Sequence, residues 1–414
     1  MTAYTPARTE PAQGIPHPRQ WPVYDDDVVA RSAELLARGR SFDYGYGPEL
    51  SGFEAAFAER HGRSRVLALA SGTAGLLAAY FALGIGPGDE VIVSDYTFFS
   101  TATPLVMLGA VPVLCDAGDR TGNVTAEGIE ALITVRTKAI VVTHLWGHPC
   151  DMPPIVNVAR RHGIPLVEDA SHAHGSTYRG RPVGSFGDVA VFSCGGLKMV
   201  TGGMGGVLLT DNEDLYARAC LLTNFRHRTD LTIESSAYEP FLVTGLGGNF
   251  RMSPVAAILA HSHLDRVEEL VDRRHTNITG LIDRVTKLPG IEPVGVAVGC
   301  TTGAWYDGVV EVDRDCPLSR DELVSRLRAE GLRVRTPATR PLHTYPLFQG
   351  VAPNWSPVMA ASVTRCAAVN NRSFPVADAL AERWVTLPVN YLWDDAGAIV
   401  EPYAEVFERV VERA

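Results

Sequence analysis

The sequence contains no CxxC pair, no apolar run of membrane-spanning length, no low-complexity tract and no surplus of basic residues. Each absence removes a class of function. Seven cysteines (Cys115, Cys150, Cys194, Cys220, Cys300, Cys316 and Cys366) are odd in number and widely scattered. That distribution argues against a disulfide framework and points to reduced thiols inside a cell. The first 22 residues are rich in Pro, Thr and Arg and lack the apolar core of a secretory signal, so a cytoplasmic protein with no membrane partner is expected. Thirty-seven Lys and Arg stand against 47 Asp and Glu, a formal charge of −10, which argues against a nucleic-acid partner held through phosphate contacts. What is present is ordinary for a folded protein: 414 residues, 46% hydrophobic and 20% charged. At about 150 residues per domain this length accommodates two or three domains with a sizeable core, and small-molecule chemistry is the natural expectation.

After a Pro-rich arm (1–22), apolar residues at helical spacing predict a helix over 25–38, stopped by Gly39. From 66 to 210 short apolar runs alternate with helical stretches, the pattern of βα units on a mostly parallel sheet. The runs lie at 66–70, 91–93, 111–114, 139–143, 165–167, 189–192 and 207–210, which predicts a seven-stranded α/β layer. A long helix is expected over 253–288. Beyond it, a strand over 305–312 and helices over 319–330 and 394–413 suggest a smaller α+β domain. The expected division is an arm at 1–22, a large domain at 23–265 and a small C-terminal domain at 266–414.

Ser71-Gly72-Thr73 follows the first apolar run and opens a helical one, so its amides lie at a free helix N-terminus. Such a tripeptide reads either as a simple helix cap or as a phosphate cradle. Gly84-Ile85-Gly86-Pro87-Gly88 ends a helix and precedes a strand, the reverse of a dinucleotide fingerprint, and reads as a turn. Asp169 stands at the end of a buried strand, where α/β sheets bind ligands, although a helix cap is the plain alternative. Ser193 ends another strand, and Lys198 follows within an apolar stretch flanked by glycines, a poor setting for a solvated surface charge. His144, His148 and Cys150 suggest a metal at first sight but lack a paired set elsewhere. A phosphate cradle, a strand-end aspartate and a sequestered lysine together match pyridoxal 5′-phosphate, which needs a Schiff-base lysine and a carboxylate at its ring nitrogen.

At this point the sequence resembles the sugar and cyclitol aminotransferase family of pyridoxal-phosphate enzymes, of fold type I, over nearly its whole length from Gln20. The resemblance rests on Gly47-Pro48-Glu49, Ser71-Gly72-Thr73-Ala74, the turn 84–88 with Asp89-Glu90-Val91, and Thr97-Phe98. It continues through Glu168-Asp169-Ala170, His172-Ala173-His174-Gly175, Gly184-Ser185-Phe186-Gly187-Asp188, Ser193 with Lys198, and Gly248-Asn249-Phe250-Arg251-Met252. It implies that Lys198 holds the cofactor and moves the proton, and that Asp169 keeps the ring nitrogen protonated. Gly72, Thr73 and Ser193 would hold the phosphate, Phe98 would stack on the ring, and His172 would lie beside the ring oxygen. Asn249 would reach the phosphate of a neighbouring subunit, implying a homodimer with shared sites.

The chain also departs from the family. Met204 replaces a glutamate, Cys194-Gly195-Gly196-Leu197 replaces bulkier residues, and Pro254 replaces an acid. The expected reaction moves an amino group from glutamate or glutamine to the ketone of a nucleotide-linked sugar or a cyclitol, in secondary metabolism. Two readings compete with it: a dehydrating, aromatising enzyme resembling aminohydroxybenzoate synthase, and a non-catalytic partner subunit.

Overall fold

The computed structural model describes residues 21–42, 46–118, 120–352, 356–387, 389, 390, 392 and 396–414. Of the expected arm only Trp21 and Pro22 fall among them. All seven expected strands are present, as β1 (Arg65–Leu69), β2 (Glu90–Ser94), β3 (Val111–Cys115), β4 (Thr137–Thr143), β5 (Leu166–Asp169), β6 (Val189–Ser193) and β7 (Gly206–Thr210). They form one sheet in the order β1-β7-β6-β5-β4-β2-β3. Strand β7 runs antiparallel to both neighbours, and the other neighbouring pairs are parallel. Alternate residues of a strand enter different cores: Val91, Val93 and Val141 join one, Ile92, Ile140 and Val142 the other. Burial on both faces is why these strands read as unbroken apolar runs.

Helix α1 (Asp26–Ala37) matches the expected N-terminal helix, and α2 (Pro48–His61) follows it. Helix α3 (Gly72–Ala82) begins directly beyond the C-terminal end of β1. It lies so close to the sheet that a Cβ on Gly75 would stand 2.8 Å from Val191. Two buried charges tie α2 to this layer. The Glu54 carboxylate accepts from the Ala68 amide of β1 at 2.7 Å and from Arg228 Nη2 at 3.0 and 3.1 Å, and Arg228 also donates to the Tyr216 hydroxyl at 2.8 Å.

The expected helix over 253–288 is two helices, α4 (Pro254–Leu264) and α5 (Val267–Val285). Neither Pro nor Gly marks the break, so nothing local announced it. Tertiary packing imposes it: α4 lies against α1 and α2, while α5 packs on the C-terminal helix Ala396–Glu412. Arg266 at the junction bonds Asp25 and Glu269. A second, antiparallel sheet contains β8 (Ile291–Pro293), β9 (Gly308–Val312) and β10 (Trp384–Leu387). The strand expected from 305 starts only at Gly308, because Trp305 takes a left-handed φ of 48°. The chain then returns to the large sheet, where Leu342, Phe348, Cys366, Phe374 and Leu380 enter its core. Among the described residues no helix is long and apolar enough to cross a membrane.

Removing Glu54 would leave Arg228 charged and buried, the costly way to break such a pair. Glu54→Ala is therefore expected to lower unfolding stability by about 3 kcal/mol or more, and Glu54→Leu with Arg228→Met to recover much of it. Chemical denaturation of the three proteins checks this. A loss below about 1 kcal/mol for Glu54→Ala would show that the pair contributes little.

Candidate active site

The C-terminal ends of β2, β4, β5 and β6 and the N-terminus of α3 meet along one edge of the large sheet. They enclose a cavity of about 520 Å³. On one wall, Ser71 caps α3 by accepting from the Ala74 amide at 3.1 Å, which is the helix-cap reading of the tripeptide. The Gly72 and Thr73 amides remain at the helix N-terminus, where backbone donors and the helix dipole favour an anion. A Cβ on Gly72 would sit 3.0 Å from the Ser193 Cβ and 3.3 Å from its Cα. Glycine thus lets the start of α3 approach the end of β6 closely. Gly206 does the same from β7: its Cβ would lie 2.4 Å from the Ser71 carbonyl carbon.

Asp169 ends β5 at the cavity floor and is buried. Its Oδ2 accepts from Thr101 Oγ1 at 2.7 Å and its Oδ1 from the Ser171 amide at 3.2 Å. Thr101 continues into a hydroxyl chain, 3.1 Å to Thr97 and 3.0 Å from Thr97 to Thr143. Glu168, its neighbour in β5, faces the other way. It accepts from the amides of Gly184, Phe186 and Gly187 and pairs with His144 at 3.1 Å. Burial opposes its ionisation, but these bonds hold its carboxyl below the usual range. Glu168 therefore anchors the 184–187 turn, and His144 is spent on it.

Lys198 reaches the cavity from a turn closed by its own amide on the Gly195 carbonyl at 3.2 Å. Burial pushes its amine down to about 7, although Asp169 and Asp307 pull upward. The sequence contains three lysines, and the other two, Lys138 and Lys287, are exposed. His172 lies on a cavity wall, stacked on Tyr306 with centroids 3.8 Å apart and planes at 10°. Its Nδ1 is buried without a partner. Burial, reinforced by Lys198 and His174, holds His172 well below its usual pKa, in the neutral form.

Seven of the eight site residues singled out from the sequence (Gly72, Thr73, Phe98, Asp169, His172, Ser193 and Lys198) line this cavity. Asn249 does not. It is exposed outside the wall and accepts from Arg251 Nε at 2.9 Å. The sequence reading missed Tyr306 and the threonine chain. Tyr306 comes from a segment remote in sequence, and threonines near strand ends carry no distinctive signal. Met204, one of the departures, lines the cavity mouth and is exposed, as are Phe98 and Leu197.

The sequence profile of the DegT/DnrJ/EryC1/StrS aminotransferase family matches residues 26–397. The chain belongs to this family of sugar aminotransferases. It is 38% identical over 307 residues to GDP-perosamine synthase of Caulobacter vibrioides, an alignment spanning 72% of this chain and 78% of the relative. Among solved structures, 3-amino-5-hydroxybenzoic acid synthase superposes with a TM-score of 0.80 at 29% identity, over 96% of this chain and 99% of that one. The structure of DesI in the presence of its TDP-sugar product superposes with a TM-score of 0.75 at 28% identity, over 97% and 95%. The protein is an aminotransferase with the fold of pyridoxal-phosphate enzymes, and its cofactor is pyridoxal 5′-phosphate. The cavity lining fits that group: backbone donors at a helix N-terminus, a buried carboxylate and one lysine.

Proposed function

We propose that this chain moves an amino group from glutamate or glutamine to the ketone of a nucleotide-linked sugar, within a biosynthetic pathway of secondary metabolism. The observation that carries this reading is the convergence of Lys198 and buried Asp169 on one cavity beside a free helix N-terminus. GDP-perosamine synthase and DesI with its TDP-sugar product support a nucleotide-linked acceptor. A keto-cyclitol is the alternative acceptor. The aromatising reading is supported by the likeness to 3-amino-5-hydroxybenzoic acid synthase, at lower identity than the synthase of GDP-perosamine.

When bound, pyridoxal 5′-phosphate supplies a carbonyl that carries the amino group and a ring that accepts electrons. The Gly72 and Thr73 amides and the Ser193 hydroxyl would hold its phosphate. Asp169, an acceptor for Thr101 and the Ser171 amide, would keep the ring nitrogen protonated. Lys198 would anchor the group and, once free, would move the proton between the substrate carbon and the cofactor's C4′ carbon, in one direction in each half-reaction. An amine with its pKa lowered to about 7 is available as a neutral base near neutral pH. Phe98 would stack on the ring and His172 would lie beside its oxygen, and the neutral imidazole adds no positive charge to compete with the protonated nitrogen.

The same reading takes 23–265 as the cofactor-binding domain and 266–414 as a smaller one. It assigns the chain to the cytoplasm, consistent with its unpaired cysteines. It also makes the enzyme a homodimer in which Asn249 serves the partner's phosphate. The exposed position of Asn249 and the apolar rim of Phe98, Leu197 and Met204 support this arrangement.

Borohydride reduction of the cofactor-loaded enzyme is expected to fix the cofactor on Lys198. Label on Lys138 or Lys287 would overturn the assignment. The loaded enzyme, incubated with glutamate or glutamine and a panel of keto-sugar nucleotides and keto-cyclitols, is expected to yield an aminated sugar nucleotide by mass spectrometry. Amination of cyclitols alone, or water loss without amination, would select the alternatives.

Mixing Lys198→Ala with Asn249→Ala chains checks the shared site. Heterodimers then hold one site with both lesions and one with neither, so part of the activity lost by both parents is expected to return. No recovery, with exchange of subunits verified by mass, would confine Asn249 to its own chain.

A further inference from the structure

Tyr306 does not belong to any motif that identified the site, yet the geometry around it is unusual. Lys198 Nζ lies 3.6 Å from the centroid of its ring. The His172 ring lies 3.8 Å from the same centroid and nearly parallel to it. An ammonium and an imidazole cannot occupy one face of a phenol at these separations, given a ring half-thickness of about 1.7 Å for each partner. The phenol is therefore sandwiched, with the lysine on one face and the histidine on the other.

The backbone beneath is held in costly conformations to achieve this. Trp305, directly before Tyr306, has φ 48°, and Trp146 has φ 59°, both left-handed and neither a glycine. The two segments are joined by the Tyr306 amide donating to the Trp146 carbonyl at 2.9 Å. The Trp146 ring runs parallel to Tyr306, with planes at 10° and centroids 6.4 Å apart. Gly303 packs so tightly that its Cβ would meet the Gly175 carbonyl carbon at 2.3 Å. Such strain persists only where surrounding structure enforces it, and it concentrates at functional positions. Here it delivers one aromatic face to one amine.

We propose that Tyr306 is a positioning residue whose ring face holds the Lys198 ammonium by a cation–π contact whenever the lysine is not bonded to the cofactor. The inference rests on the reading of Lys198 given above and extends it. A lysine released into a roomy cavity would sample many rotamers, and the proton it carries would have to be delivered to a carbon other than the one it left. Held on Tyr306, the ammonium stays within the cavity wall, one movement from the reacting atoms. The other charged groups that face Lys198 are Asp169 from β5 and Asp307, next to Tyr306. Asp307 is itself held by Arg335 at 2.9 and 3.0 Å. His172 contributes no charge while it remains neutral.

The test removes the ring quadrupole without changing the ring's size. Tyr306→Phe and a series with mono-, di- and trifluorophenylalanine at position 306 are compared, both as the cofactor-free full chain and loaded with pyridoxamine 5′-phosphate, where the lysine is unbonded. Competitive acetylation with acetic anhydride across pH, read by peptide mass spectrometry, gives the titration midpoint of Lys198. Lys138 and Lys287 serve as surface references in the same digest. A cation–π contact stabilises the ammonium, so the midpoint is expected to fall step by step with fluorination, by about half to one pH unit over the series. The references are expected to stay fixed. Midpoints that coincide across the series, or that rise, would reduce Tyr306 to a packing residue. Because the cofactor-free chain is titrated as well, a failure of borohydride to label Lys198 would be recognised separately from a failure of the cation–π contact.

Discussion

The organisation of this protein depends on placing one carboxylate, Asp169, at the buried end of a central strand. A charge in that position is costly unless neighbouring dipoles satisfy it. Thr101 and the Ser171 amide supply the local donors, and the Thr97–Thr143 hydroxyls extend the network behind them. The parallel strands β2, β4 and β5 bring the segments bearing these groups to one sheet edge. Glu168, one residue away and on the opposite face, uses its own carboxylate to fix the neighbouring turn. Two adjacent acids thus face a turn and the cavity separately because strand side chains alternate.

Lysine and carboxylate then define a polarised cavity. Its walls are largely apolar or neutral: His172 stays uncharged through burial, and Phe98, Leu197 and Met204 make the mouth hydrophobic. Such surroundings strengthen the electrostatic effect of the few charges left inside. The same burial depresses the Lys198 amine, as a general base working near neutral pH requires. The methionine at position 204 adds apolar area at the cavity mouth.

Most of this architecture was legible in the sequence for a physical reason. The seven central strands are buried on both faces and therefore appear as apolar runs, and the glycines at 72 and 206 stand where backbones nearly touch. Lys198 and Asp169 were recognisable because a charged residue in an apolar, glycine-rich setting is an anomaly. What escaped depends on distant partners. The break at Asp265-Arg266 has no Pro or Gly and is decided by what α4 and α5 pack against. The left-handed Trp146 and Trp305 are improbable for any local rule, and Tyr306 gains its place only through them. Asn249 was singled out through family resemblance alone, and its surroundings within one chain look like those of any surface polar residue.

The central claim is that Asp169 holds a proton on the ring nitrogen of the cofactor, and nitrogen NMR reads that proton directly. Enzyme loaded with pyridoxal 5′-phosphate labelled with ¹⁵N in the ring is compared with Asp169→Asn loaded in the same way. The wild-type nitrogen is predicted to resonate as protonated pyridinium at neutral pH and above, and the Asp169→Asn nitrogen to move to the unprotonated position with the cofactor still bound. Identical resonances in the two proteins would contradict the account.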